Sequence, residues 1–134
     1  MQEKIKNVVW VIGGTSGYGW EISKFFLKKN YKVIISGKKN LKNHSHLLAV
    51  DNIEYLKIDL ENEKDIKLNC EKICKNLNLD LLIITSAISN SLSRSNFPFL
   101  ESNTRIFNKF LKTNSLGPML VVKYLIPFLI RKKK

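Results

Sequence analysis

Gly13-Gly14-Thr15-Ser16-Gly17-Tyr18-Gly19 follows the apolar run Val8-Val9-Trp10-Val11-Ile12 and opens a helical pattern that starts near Tyr18. A strand, a glycine-rich turn and a helix in that order build a cradle for the phosphates of a nucleotide. Gly13 permits the tight turn, Gly17 lets backbone N–H groups approach a pyrophosphate, and Gly19 lets the helix pack closely on the strand. Thr15 and Ser16 offer hydroxyls and further backbone donors. The positive end of the helix dipole favours the anion. An ordinary strand-to-helix turn is the alternative reading of the same glycines.

Outward from this turn the chain alternates strand and helix. Residues 18–29 carry Ile22, Phe25 and Phe26 on one helical face, and residues 32–36 read as a second strand. The stretch 37–52 is polar and irregular. Residues 53–58 form a third strand ending at Asp59, and 62–77 an amphipathic helix with Ile66, Cys70, Ile73 and Leu77 along one face. The nearly continuous apolar content of residues 79–84 suits a central strand of a parallel sheet. A Ser- and Asn-rich loop over 86–96 precedes a long helix over 103–131, which Pro118 and Pro127 are expected to bend. This order predicts an α/β fold of about four strands in one domain over residues 1–134, an open doubly wound parallel sheet. Its ligand crevice lies at the carboxyl ends of the strands, where Gly13, Gly37, Asp59 and Thr85 fall.

At 134 residues and 44% hydrophobic composition the chain has enough apolar material for one core. It carries 23 Lys and Arg against 11 Asp and Glu, a formal net charge of +12. The basic residues are scattered lysines among Asn and Ile, and a Lys- and Asn-rich composition accounts for the excess. No nucleic-acid recognition motif or aromatic platform accompanies them, so no nucleic-acid partner is expected. The charge does favour an anionic ligand. Cys70 and Cys74 lie four apart in a helical pattern, with His44 and His46 elsewhere, which supports neither a disulfide framework nor a zinc site. Both cysteines are expected reduced and semi-buried in a cytoplasmic protein, with no metal. Met1-Gln2-Glu3-Lys4 runs straight into the first strand without a signal-peptide pattern. Residues 114–130 are apolar, but Pro118, Lys123 and Pro127 interrupt them. They fall short of the ~20 clean apolar residues of a membrane span, so a buried interface helix is expected.

The spacing Gly13-x-x-x-Gly17-x-Gly19 resembles that of the short-chain dehydrogenase/reductase family, and further elements agree in order. Asp59-Leu60 resembles the family's acidic adenine contact after the third strand. Thr85-Ser86-Ala87 stands in the place of its Asn-Asn-Ala-Gly element, and Thr113-Asn114-Ser115-Leu116-Gly117-Pro118 resembles its Val-Asn-x-x-Gly-Pro segment. The resemblance implies a Rossmann-like fold and an NAD(P)-dependent oxidoreductase that moves a hydride between nicotinamide and a small carbonyl or alcohol substrate. It implies that Tyr18 lines the cofactor pocket, with helix packing as the alternative, and that Asp59 and Leu60 border the adenine, with turn capping as the alternative for Asp59. Ser86 and Ala87 then lie beside the nicotinamide ribose. Asn114 matches the Asn of the family's Asn-Ser-Tyr-Lys tetrad, its one member here; the alternative is a polar bridge at a helix kink. The long last helix implies a homo-oligomer through residues 103–131.

Departures accompany the likeness. Ile12 replaces the family's Thr before the first glycine, Thr85-Ser86 replace two asparagines, and Ile88 replaces a glycine. The family's catalytic Ser and Tyr-x-x-x-Lys do not appear before Lys134. The resemblance therefore implies the cofactor-binding half of such an enzyme, apparently truncated, or else a non-catalytic nucleotide-binding module or relic without turnover. Cofactor choice is read at the end of the second strand, where an acidic residue would accept from the ribose 2′-OH. Here Gly37 is followed by Lys38 and Lys39, which favours NADP(H) over NAD(H), unless two of many surface lysines fell there by chance.

Overall fold

All five residues of Val8-Val9-Trp10-Val11-Ile12 are buried, as β-branched and aromatic side chains require of a strand covered on both faces. A computed structural model describes residues 7–47, 49–89 and 99–132. The apolar run is strand β1 (Val8–Ile12), joined by β2 (Lys32–Gly37), β3 (Ile53–Lys57) and β4 (Leu79–Ile84). They form one parallel sheet in the order β3-β2-β1-β4. The chain winds outward from β1 to β3, then returns to place β4 on the other side of β1. That reversal makes the carboxyl ends of β1 and β4 the switch point of the sheet.

The two-residue period of the strands sorts the core into two layers. Trp10, Ile12 and Ile34 face Ile66, Cys70 and Ile73 of helix α2 (Glu63–Asn76) and Val121 and Leu125 of helix α4 (Gly117–Lys132). Val9, Val11, Val33 and Ile35 face Trp20, Phe26 and Leu27 of helix α1 (Gly17–Lys28), together with Leu47. The buried indole of Trp10 satisfies its N–H on Ser36 Oγ at 2.7 Å. Asn30, at φ +62°, ends α1 in the left-handed conformation that Asn tolerates.

Three expectations change. Among the described residues the run Leu79–Ile84 lies at an edge of the four-stranded sheet and not centrally, and Leu81 is exposed. Apolar continuity reports helices over both faces of a strand, and says nothing about a neighbour on its far side. The helix expected over 103–131 is divided, with α3 (Thr104–Leu111) ending in one wide π turn, Lys112–Leu116, before α4 begins. Pro118 has no N–H to return to a carbonyl one turn back. Gly117 passes so close to Leu60 that a Cβ would lie 2.5 Å from the Leu60 carbonyl oxygen. The wide turn absorbs both constraints ahead of Pro118, whereas α4 continues through Pro127. The irregular stretch 37–52 contains two single 3₁₀ turns, Leu41–Asn43 and Ser45–Leu47, pinned by the buried Leu47. Part of the loop expected over 86–96, residues 90–96, lies outside the described residues.

The helical stretch Thr104–Arg131 is long and apolar enough to cross a membrane by length and composition alone, at a mean hydropathy of 1.3. Val121 and Leu125 within it are fully buried in the core, while Met119, Val122, Ile126 and Ile130 are exposed.

Both cysteines are free thiols on α2. Burial first, then the neighbouring Cys74 and Glu71, push the Cys70 thiol up to about 12. A thiolate is the reactive form, so iodoacetamide near pH 8 is expected to leave Cys70 unmodified in the folded chain and to alkylate it in urea. Mass spectrometry of the peptides checks this; labelling of Cys70 without denaturant would contradict its place in the core.

Candidate functional site

The glycine turn is held by hydrogen bonds from both neighbouring strands. Gly13 N–H donates to Ser36 O at 2.8 Å, Thr85 N–H donates to Ile12 O at 2.9 Å, and the Thr85 hydroxyl reaches the same carbonyl at 3.2 Å. Ile12 supplies no hydroxyl to this turn; Thr85, across the sheet, does. The sequence placed Thr85 at the crevice but did not show this bond, because its partner is fixed by strand pairing and not by proximity along the chain.

Each glycine has a separate steric reason. Gly13 adopts φ +87°, and a Cβ there would lie 2.6 Å from Ser86 N. A Cβ on Gly19 would lie 2.1 Å from the Gly13 carbonyl oxygen and 2.6 Å from Thr85 Oγ1, so α1 can start here only without a side chain. Gly17, at φ +54°, faces open space, with nothing within 4 Å of a built Cβ. That opening lies over the start of α1, whose first N–H groups have no acceptor within the helix. Asn62 and Asn103 cap α2 and α3 with their side chains, but Ser16 makes no such bond to α1, and the first turn of α1 carries no acid. An anionic diphosphate would supply the acceptors and meet the positive end of the dipole. The residues present therefore fit a dinucleotide.

Tyr18 is 88% exposed at the edge of this opening, which removes helix packing as its explanation. Thr15 is half-buried against Gly37, and Ser16 is exposed.

Beyond the turn lies a cleft of ≈130 Å³ walled by Ile12, Gly37, Asp59, Leu60, Ser86 and Ile88, with Lys38 and Thr113 also at its edge. It brings together residues that the sequence scatters over four strand ends. Asp59 caps its turn, accepting from Glu61 N–H at 3.0 Å through Oδ1, and the same carboxylate stands at the cleft. Both readings of Asp59 are thus compatible with one position. Lys38 is not a free cation: its Nζ lies 2.7 Å from Glu61 Oε1 and 3.3 Å from Asp59 Oδ2. These partners, Glu61 foremost, raise the Lys38 pKa. The Thr113 hydroxyl is buried and has no hydrogen-bond partner.

Ala87 is exposed beyond Ser86. Asn114 sits in the π turn and spans to the loop after β4, accepting from Ile88 N–H and donating to Ile88 O, each at 2.8 Å. It acts here as a positioning residue that ties the last helices to the rim of the site. Among the described residues no group of three His, Cys, Asp or Glu side chains forms a metal site.

A family model described as short chain dehydrogenase matches residues 7–134. The chain belongs to the short-chain dehydrogenase family. An uncharacterized oxidoreductase of Saccharomyces cerevisiae is 26% identical over 143 aligned positions, covering 99% of this chain and 54% of that protein. Among solved structures, ElxO with NADP bound is 30% identical with a TM-score of 0.80, covering 94% of this chain and 51% of that one. A short chain dehydrogenase from Leptospira borgpetersenii with bound NAD+ has a TM-score of 0.79 at 23% identity and covers 95% of this chain and 47% of that one, a likeness of fold. The chain spans about half the length of these family relatives.

Proposed function

We propose that this chain binds NADP(H) in preference to NAD(H) and supplies the cofactor half of an oxidoreductase acting between a carbonyl and an alcohol. The observation that carries the reading is the open, uncapped start of α1 over Gly17, set at the switch point of the sheet. Bound there, the nicotinamide supplies a hydride donor or acceptor. The chain's own residues bind and orient it. Backbone N–H groups of Gly17 and Tyr18, at the uncapped start of α1, would hold the diphosphate, and Leu60 and Ile88 would offer apolar walls to a planar base. Asp59 offers a carboxylate at the same cleft. Ser86 and Ala87 border the path toward the reacting ring, and Asn114 fixes that border through Ile88.

The preference for NADP(H) is supported by the bound cofactor of ElxO and by the chain's own chemistry at the end of β2. Gly37 offers no carboxylate to a ribose 2′-OH, and Lys39 follows it beyond the acid-paired Lys38. Fluorescence titration of the full chain should therefore show tighter binding of NADPH than of NADH. Gly37→Asp should reverse the order, weakening NADPH by more than about tenfold through repulsion of the 2′-phosphate. The new side chain would sit 3.2 Å from Thr15 Cγ2 and from the Tyr55 hydroxyl, close enough to require a small shift of either. Equal binding of both cofactors by both proteins would end the proposed preference.

A further inference from the structure

Helix α4 turns one apolar face to the core and another to solvent. Val121 and Leu125 are buried, and Met119, Val122, Ile126 and Ile130 stand exposed at spacings of three and four, which align on one side of a helix. Leu111 and Leu116, on the turns before it, are exposed as well. Six large apolar side chains in water on one helical stretch mark a surface that meets something else.

The charge on the same stretch selects what it meets. Residues 102–134 contain no Asp or Glu, while Arg105, Lys109, Lys112, Lys123 and the run Arg131-Lys132-Lys133-Lys134 supply eight cations. Among the described residues none of Arg105, Lys109, Lys112, Lys123 and Arg131 is ion-paired. Lys123 stands among the exposed apolar residues, with its Nζ 5.2 Å over the Tyr124 ring. The Tyr124 hydroxyl in turn donates to Glu63 Oε1 at 2.6 Å, which occupies that acid. A second copy seated by two-fold symmetry would present this same patch. Cation would then approach cation, with no acid on the stretch to separate them. An anionic lipid surface meets both features: its hydrocarbon takes the apolar side chains, and its headgroups take the ammonium and guanidinium groups at the ends of their long stems.

We propose that the exposed face of α4 lies on a bilayer surface rich in anionic phospholipid. Thr104–Arg131 has the length and composition to cross a bilayer, but crossing would pull Val121 and Leu125 out of the core beside Ile66, Cys70 and Ile73. Lying flat leaves them in place. At the end of the helix a cavity of ≈340 Å³ opens between α2 and α4, walled by Cys74, Leu77, Leu125, Phe128 and Leu129, with Arg131 also lining it. Its apolar walls suit an acyl chain, and the Arg131 guanidinium suits the phosphate of the same lipid. Leu79, at the start of β4, also borders this cavity, so it lies at the opposite end of the sheet from the nucleotide crevice. Lipid and cofactor therefore do not compete.

The test is co-sedimentation of the full chain with vesicles of phosphatidylcholine alone, or with about 30% phosphatidylserine, at about 0.1 M salt. The mixed vesicles should bind the wild type at least about tenfold more tightly than the neutral ones. Ile126→Ser/Ile130→Ser should lose about tenfold or more by removing buried hydrocarbon, and Lys123→Glu should lose roughly tenfold by reversing one charge at the surface. Lys28→Glu, on α1 over the other face of the sheet, makes the same change in net charge and should stay within about twofold of wild type. Circular dichroism and the urea midpoint check that each variant is folded, and Lys123→Glu against Lys28→Glu decides should the double variant fail that check. Equal losses in Lys28→Glu and Lys123→Glu, or no loss in a folded Ile126→Ser/Ile130→Ser chain, would reduce the attraction to overall charge and overturn the docking face. Failure to bind either vesicle overturns it too, and a dimer by light scattering that Ile126→Ser/Ile130→Ser dissociates would then assign the face to a second copy.

Discussion

Gly19→Ala should cost the chain about 3 kcal/mol or more of stability, beyond the usual range for adding one methyl to a packed site. Its Cβ would sit 2.1 Å from the Gly13 carbonyl oxygen. That oxygen cannot retreat, because Gly13 is tied to β2 through Ser36 and the adjoining Ile12 carbonyl is tied to Thr85. Relief therefore requires α1 to move off β1, which opens the layer formed by Trp20, Phe26 and Leu27. Urea unfolding should show a lowered midpoint, and nucleotide binding should vanish with the turn.

Gly17→Ala is the informative contrast. Its Cβ would meet no atom within 4 Å, but the residue holds φ +54°, a conformation that costs an L-residue roughly 1–2 kcal/mol. The variant should stay folded with a modestly lowered midpoint and lose cofactor binding, because the methyl stands where the diphosphate must approach. One variant thus reports how the helix packs and the other where the ligand lies. A Gly19→Ala chain as stable as wild type would mean that α1 does not approach β1 so closely. A folded Gly17→Ala chain that binds NADPH normally would mean that the diphosphate does not pass over this turn.

What could be read from the sequence was local. The glycine spacing located the start of α1 because each glycine answers to a neighbour a few residues away. The apolar runs located all four strands for the same reason. Features set by contacts across the fold were not legible. Pro118 announced a bend, but the π turn ahead of it also answers to Gly117 pressing on Leu60, a contact that the sequence does not show. Lys38 looked free because Glu61 joins it only after β3 pairs with β2. The loop of residues 38–47 read as irregular because Tyr55 and the core around Leu47 impose its shape. Asn114 was placed in the site by resemblance, and its two bonds to Ile88 explain why an amide suits that position: it both donates and accepts.

Thr113→Val should stabilise the chain, a rare direction for a substitution at a residue only 8% exposed. The Thr113 hydroxyl is buried without a partner, and a polar group left so costs about 1–3 kcal/mol relative to a satisfied or apolar one. Valine keeps the branched shape and removes the oxygen. Thermal unfolding should shift upward by roughly 3–10 °C for a domain of this size. NADPH affinity should be unchanged, because valine keeps the shape of the side chain at the edge of the cleft. A Tm at or below the wild-type value would show that the hydroxyl is satisfied in solution. A raised Tm with weakened NADPH binding would show instead that the oxygen turns into the cleft and meets the base, making Thr113 a contact and not a flaw.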